Sequence, residues 1–401
     1  MMLSRRRFGL AACACGALLG SACKTTDELS REAVDGQPLE AETPIGYRPH
    51  PSSDEAGIWA LADKEEAQLR NSPHLVRDPV LNAYVRTLCE SLAGERRQDM
   101  RVYVVRAPMF NATMSPNGMM QVWTGLLVRA ENEAQLASVL GHEIGHYARR
   151  HSIYRQRDIV NKTGLATFMA LAGVYGSAVN LAILQSMLAY SRDHEREADR
   201  WGSEAMARQR LDPQEASTIW KNIIAEEEAY EDRRSRSLGL ATHPAPEERM
   251  TTLASMAAVA KRNATFGYKT NEAAYRATLK NSWLWLLRDE LRLRTYPSSL
   301  VLFERLLKRD PKDAHVWYAK GELFRLRDAT DDDSRAQQAL HSAVALPNHP
   351  PVAWRSLGFL HQRKRRFAEA VTAFQSYLAS PPADADDLDL IKNYVANGGQ
   401  V

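Results

Sequence analysis

Cysteine is nearly missing from the body of this 401-residue chain: Cys13, Cys15 and Cys23 crowd into the first 23 residues, and only Cys89 follows. No intrachain disulfide framework is therefore available to the folded part. An excess of one charge sign is missing as well. Lys and Arg number 52 against 49 Asp and Glu, a net +3, and Arg5, Arg6 and Arg7 lie in a segment expected to be cut away. The mature chain is then near neutral, which argues against nucleic acid as a partner. Glycine and proline, at 21 and 18 residues, are too sparse for a collagen-like or low-complexity chain, and 44% hydrophobic residues exclude wholesale disorder. What is present is enough apolar material for two domains plus accessory segments.

The first such segment is an export signal. Ser4-Arg5-Arg6-Arg7-Phe8 precedes an uncharged, small-residue stretch from Gly9 to Ala22 that ends at Cys23. A basic n-region, a short h-region and a small-residue cleavage site give a signal peptide over 1–22, too short for a spanning helix. The cysteine after a small-residue triplet resembles the lipobox of bacterial lipoproteins, although Gly20 stands where that motif prefers Leu, so Cys23 is the expected lipidation site. Leu10-Ala11-Ala12-Cys13 fits the triplet better but would leave an h-region of only about five residues. Ser-Arg-Arg-x-Phe also resembles the twin-arginine signal, so export is by the Sec or the twin-arginine route. Residues 23–55 mix Pro, Gly, Ser, Thr and acids without apolar periodicity, as a lipid-anchored linker would.

Helical periodicity begins at Asp54, with Ile58, Leu61 and Ala62, then Leu81, Tyr84, Val85, Leu88 and Leu92. Arg101–Arg106 and Met119–Trp123 read as short strands around the turn-prone Ser115-Pro116-Asn117-Gly118. A helical run follows, with Asn132 as its cap, Glu133 in its first turn and Leu136, Val139, Leu140 and Ile144 as its apolar stripe. Within it stands His142-Glu143-Ile144-Gly145-His146. Histidines four apart share one helix face and can reach one tetrahedral Zn²⁺, while Glu143 can face a water at the open position. A third protein ligand is needed, and His151, His194, Glu195, Glu197 and Asp199 are the candidates. If 191–202 is helical, Glu195 and Asp199 share a face, the first able to bind the metal and the second to accept a hydrogen bond from a ligand histidine; His194 and Glu197 then point elsewhere.

His-Glu-x-x-His, then Ser191-Arg192-x-x-Glu195-x-x-Ala198-Asp199-x-x-Gly202, then Thr242-His243-Pro244-x-Pro246-Glu247-Glu248-Arg249 resembles the HtpX and CAAX-prenyl-protease group of zinc metallopeptidases. Asn111-Ala112, Pro116, Gly118 and Thr124-Gly125-Leu126-Leu127 add to the likeness, which covers roughly 56–262 and is closest to the periplasmic BepA-like members. The resemblance implies one Zn²⁺ per chain on His142, His146 and Glu195, with Glu143 as catalytic base. Asn111-Ala112-Thr113-Met114 departs from the group, whose members carry an aromatic or small apolar residue after Asn-Ala; substrate preference is what this bears on. His243 or Arg249 would donate to the developing oxyanion, or His243 would take the fourth zinc position as an off-switch. Met119, Met120, Gln121 and Val122 are expected to form either an edge strand that binds extended substrate by backbone pairing or a simple core strand. Gly164–Ser191 carries no Asp, Glu, Lys or Arg. A single membrane crossing there would separate the histidines from Glu195, so a buried or membrane-touching hairpin is expected.

Trp283, Trp317 and Trp354 recur 34 and 37 residues apart, near the tetratricopeptide period. The last unit carries Leu357-Gly358, Ala370, Phe374, Tyr377 and Pro382; the middle one carries Gly321, Phe324, Ala339 and Ala343, with Asp331-Asp332-Asp333 in a loop insertion. The expected fold is α+β, mainly α: a zincin-type metallopeptidase domain with a small β-sheet over 56–270, then an α-solenoid of tetratricopeptide-like repeats over 280–401. The expected function is a zinc endopeptidase of the bacterial envelope, in the periplasm and lipid-anchored at the outer membrane. Its partners would be unfolded or misassembled envelope proteins and, through the repeats, outer-membrane assembly machinery. The alternative is a periplasmic chaperone or adaptor with a latent zinc site.

Overall fold

Polar side chains open the first helices by meeting amide N–H groups that have no carbonyl one turn earlier. In the computed structural model, which describes residues 42–163, 190–229, 243 and 246–400, Ser53 caps α1 (Asp54–Arg70) by accepting from Ala56 N. Asp78 caps α2 (Pro79–Ala93) through Val80 N and Leu81 N, and Pro79 suits the first turn because its missing N–H would be unpaired there anyway. The export segment, Cys23, linker residues 23–41 and residues 164–189 of the uncharged stretch lie outside the described residues. Linker residues 42–53 do not hang free: Thr43 N and Oγ1 both donate to Ala148 O, Glu42 pairs with Arg96, and Tyr47 OH donates to Glu55.

Three strands follow, β1 (Arg101–Val105), β2 (Ala112–Met114) and β3 (Met119–Trp123), in the order β1-β3-β2. β3 runs parallel to β1, with Arg101 opposite Met119, and antiparallel to β2, with Met114 opposite Met120. Every β3 residue is buried. The edge strand expected at Met119, Met120, Gln121 and Val122 is therefore corrected: neighbours on both sides occupy its backbone groups. Among the described residues β2 lies at one end of the sheet and pairs with β3 alone, a position that three residues of alternation were too short to announce.

The helices α3 (Thr124–Arg129), α4 (Glu133–Ala148), α5 (His151–Thr163), α6 (Arg192–Arg208), α7 (Gln214–Glu228) and α8 (Pro246–Asn263) complete the first part. Beyond it come α9 (Glu272–Leu279), α10 (Trp283–Arg292), α11 (Tyr296–Arg309), α12 (Ala314–Arg327), α13 (Asp332–Val344), α14 (Val352–Arg363), α15 (Phe367–Ala379) and α16 (Leu388–Ala396). Successive helices from α11 onward pack on one another. A Cβ on Gly321 would lie 2.6 Å from Leu340 Cγ, and one on Gly358 would collide with the Phe374 ring, so both pairs approach too closely for any side chain there. Asp332 and Asp333 do not belong to a loop insertion. They begin α13, where acidic groups suit the helix dipole, and Asp332 holds Arg327 and Ala329 N.

One hydrophobic core runs through both parts, from Leu81 and Leu140 to Leu302, Phe374 and Ile391. Tyr275 OH donates to Leu127 O at 2.8 Å, and Arg129 on α3 bridges Glu226 on α7 and Glu290 on α10. Among the described residues no helix is long and apolar enough to cross a membrane.

Candidate metal centre

The site is made by two helices that touch through glycine. α4 starts at Asn132, whose Oδ1 accepts from Gln135 N at 2.9 Å while its Nδ2 donates to Glu215. α6 starts at Ser191, whose Oγ accepts from His194 N. A Cβ on Gly202 would lie 2.9 Å from His142 N, and one on Gly145 would lie 3.1 Å from Ala198 Cα. This seam brings the backbones close enough for Glu195 and Asp199, one turn apart on α6, to reach His142 and His146, one turn apart on α4.

His142 Nε2 and His146 Nε2 stand 2.9 Å apart, and Glu195 lies 3.5 Å from the first and 3.4 Å from the second. His243 Nδ1 is 3.2 Å from His142 Nε2 and 3.0 Å from each Glu195 oxygen. All four residues are buried, and one donor atom from each falls within 4.8 Å of the others. Ligands about 2.0–2.1 Å from one tetrahedral zinc sit about 3.3 Å from one another, so the spacing and the nitrogen and oxygen donor set fit that ion.

The second-layer contacts are specific. His142 Nδ1 lies 2.9 Å from Asp199 Oδ1 and 3.0 Å from Arg249 Nη2. Arg249 donates through Nε to Asp199 Oδ2 at 2.9 Å, places Nη1 2.9 Å from Glu195 and lies over the Trp220 ring, 4.3 Å from its centre. Arg249 is thus bound to the carboxylates. Glu143 lies beside the donors, with Oε1 3.3 Å from His243 Nε2. A cleft lined by Asn111, Ala112, Glu143, Trp220 and Leu253 lies beside this point, with Ala112 contributed by β2.

Charge follows from the crowding. Burial alone would raise Glu195, but His243, Arg249 and His142 together hold its carboxyl well below the usual range. Burial would lower His243, yet Glu195 and Glu143 outweigh it and push the imidazole up to about 9. His146 goes the other way, well below its ordinary value, through burial and the neighbouring His142.

Of the candidate third ligands, only Glu195 joins the two motif histidines. His151 lies behind them, its Nδ1 2.9 Å from His146 Nδ1 and its Nε2 3.1 Å from Glu197 Oε2, and His194 stacks on the His151 ring at 4.3 Å. Tyr190 stacks on His146 with ring centres 3.8 Å apart. Sequence reasoning named His151 and Glu197 only as candidate third ligands, without their contact to each other and to His146, and did not single out Tyr190 or Trp220. The only available signal was the histidine five positions after His146.

Residues 68–257 match the family described as peptidase family M48. A Yersinia pestis protein named beta-barrel assembly-enhancing protease is 26% identical over 382 residues, covering 85% of this chain and 77% of the relative. A Vibrio cholerae protein named putative beta-barrel assembly-enhancing protease is 31% identical over 199 residues, 46% of this chain and 40% of the relative. The Schizosaccharomyces pombe mitochondrial metalloendopeptidase OMA1 is 30% identical over 174 residues, 41% of this chain and 49% of the relative. The matched stretch thus spans less than half of the Vibrio and Schizosaccharomyces proteins.

Proposed function

We propose, from the match of residues 68–257 to peptidase family M48, that this chain is a zinc-dependent endopeptidase that hydrolyses peptide bonds in misfolded or misassembled proteins of the bacterial envelope. The observation that carries the reading is the convergence of His142, His146, Glu195 and His243 donors within 4.8 Å, with Glu143 alongside. His142, His146 and Glu195 would hold a zinc ion, whose Lewis acidity would polarise the scissile carbonyl and lower the pKa of water. Glu143 takes the proton of the attacking water and returns it to the leaving amine. Asp199 holds the His142 tautomer, and Arg249 holds Asp199 and Glu195 in place. Extended substrate pairs with the β2 edge rather than with β3.

A second reading draws support from His243. Its Nδ1 lies within the donor set, so it would serve as a fourth ligand that keeps the centre latent until displaced, and binding by the helices after 280 would then dominate, as in a chaperone or adaptor. Those helices would form a tetratricopeptide-like platform for envelope substrates or for outer-membrane assembly machinery. Anchoring through Cys23 would place the protein in the periplasm at the outer membrane. The test is metal analysis of the purified chain beside casein cleavage with and without chelator. Stoichiometric zinc and chelator-sensitive cleavage are expected; a chain that neither contains nor takes up zinc overturns the peptidase reading.

A further inference from the structure

We infer that His151 and Glu197 form a positioning relay that fixes His146 as a metal ligand, an inference that rests on the zinc-centre reading above. His146 is wholly buried and turns Nε2 to the point where the donors meet, 2.9 Å from His142 Nε2 and 3.4 Å from Glu195 Oε1. An imidazole that offers its Nε2 lone pair carries its proton on Nδ1, and that N–H needs an acceptor in a site without water access. The atom that meets it is His151 Nδ1, at 2.9 Å. To accept there, His151 must carry its own proton on Nε2, and Glu197 Oε2 lies 3.1 Å from that nitrogen. The chain of donors is consistent from end to end: Glu197 accepts from His151, and His151 accepts from His146. Arg149 Nε, 3.2 Å from the other Glu197 oxygen, matches the carboxylate charge.

The backbone builds this relay in one turn. α4 ends at Ala148, Arg150 takes a left-handed conformation at φ 57°, and the chain doubles back so that His151, at the start of α5, faces the last turn of α4. Tyr190 stacks on the His146 ring and its hydroxyl lies 2.9 Å from Ser152 Oγ, which fixes the ring plane that the relay needs. The two ligand histidines are thus supported differently. His142 Nδ1 faces a carboxylate, Asp199, at 2.9 Å, whereas His146 Nδ1 faces a second imidazole that in turn meets Glu197. A neutral acceptor can be replaced by another neutral acceptor, and this makes the role testable.

The experiment is zinc affinity of the full chain by competition with a chromogenic chelator, beside thermal unfolding of the metal-free protein, for wild type, His151→Phe, His151→Gln, Glu197→Leu and Glu197→Gln. Loss of an outer-layer partner costs roughly 10–100-fold in metal affinity. His151→Phe is expected to fall within that range, His151→Gln to regain part through its carbonyl, and Glu197→Leu to bind zinc more weakly than Glu197→Gln. A folded His151→Phe with wild-type affinity, or equal loss in His151→Phe and His151→Gln, overturns the relay. If His151→Phe does not fold, the Glu197 pair decides: equal affinities overturn it. A wild type that takes up no zinc overturns the metal-centre reading and the relay with it, whereas a zinc-binding wild type beside an unimpaired His151→Phe overturns the relay alone.

Discussion

Arg129, Glu226 and Glu290 are as deeply buried as His142, His146, Glu195 and His243, but the two groups close in different ways. Around Arg129 each donor meets an acceptor: Nε reaches Glu226 at 2.8 Å, Nη1 and Nη2 reach Glu290 at 2.9 Å each, and Ser299 Oγ adds 2.8 Å to the same carboxylate. Arg305 lies 2.7 Å from the remaining Glu226 oxygen. Every nitrogen of the Arg129 guanidinium therefore has a protein acceptor. At the other, two imidazole Nε2 atoms face each other at 2.9 Å beside a carboxylate, and lone pairs so arranged require a cation or a proton between them. In the metal-free chain a proton on His243, raised to about 9 by Glu195 and Glu143 against the effect of burial, meets part of the deficit. A buried polar cluster that protein atoms satisfy holds the fold together; one that they leave short marks the place where something else binds.

The largest effect expected from this contrast is catalytic. Glu143→Gln keeps the hydrogen-bonding shape but removes the base, so casein cleavage should fall by roughly 10²–10⁴-fold while bound zinc stays at the wild-type level. His142→Ala should lose zinc and cleavage together. Loss of zinc in Glu143→Gln, seen by metal analysis, would break the division between ligands and base.

Arg129→Met turns the same contrast toward stability. It leaves Glu290 buried without its cation and Glu226 with Arg305 alone, and removing one partner of a buried ion cluster costs about 3–5 kcal/mol. Urea unfolding of the metal-free chain should show that loss, with zinc stoichiometry unchanged in the protein that remains folded. His142→Ala should cost the metal-free protein much less. Equal losses in both variants would mean that the metal centre is itself a structural cluster.

How much of this was legible depends on whether partners share a helix. His142, Glu143 and His146 were readable because a spacing of four has one geometric meaning on a helix, and so were Glu195 and Asp199. Asn132 was readable as a cap from its place before the apolar stripe, and the structure puts its side chain on Gln135 N. His151 and Glu197 were not. One opens α5 and the other lies on α6, 46 positions away, and their meeting depends on how Gly145 and Gly202 let α4 and α6 touch. The strand error has the same origin: alternation identifies a strand at Met119–Trp123 but carries no information on how many neighbours it has. Arg249 shows the limit for charge, since a motif named the residue while only packing decided that Asp199 and Glu195 would occupy it.

Glu65 sharpens the comparison as a buried carboxylate given neither a cation nor a metal. Burial raises it to about 7, with the Gln121 amide at 2.9 Å pulling it only slightly back. Below the unfolded value of about 4.5 both states are protonated, and between there and 7 only the unfolded state ionises, so stability falls as pH rises through that window and levels off above it. The fall is on the order of 3 kcal/mol. Glu65→Gln should flatten this stretch of the pH–stability curve and raise stability at pH 8, read by urea unfolding across pH 4–9. An unchanged slope would mean that Glu65 is ionised in the folded protein.

The smallest effect belongs to a place where no charge is involved. Gly358 on α14 lies against the Phe374 ring of α15 with no room for a methyl group, so Gly358→Ala must push the helices apart or force Phe374 out of its rotamer. Overpacking of this kind costs about 1–3 kcal/mol. Thermal unfolding should show the loss, whereas zinc content and casein cleavage below the transition should match wild type, because Gly358 touches none of the donor residues. This separates loss of stability from loss of the metal. Should Gly358→Ala also weaken zinc binding, the incompleteness of the His142 cluster would depend on the whole core rather than on the seam between α4 and α6, and the contrast with Arg129 would lose its local meaning.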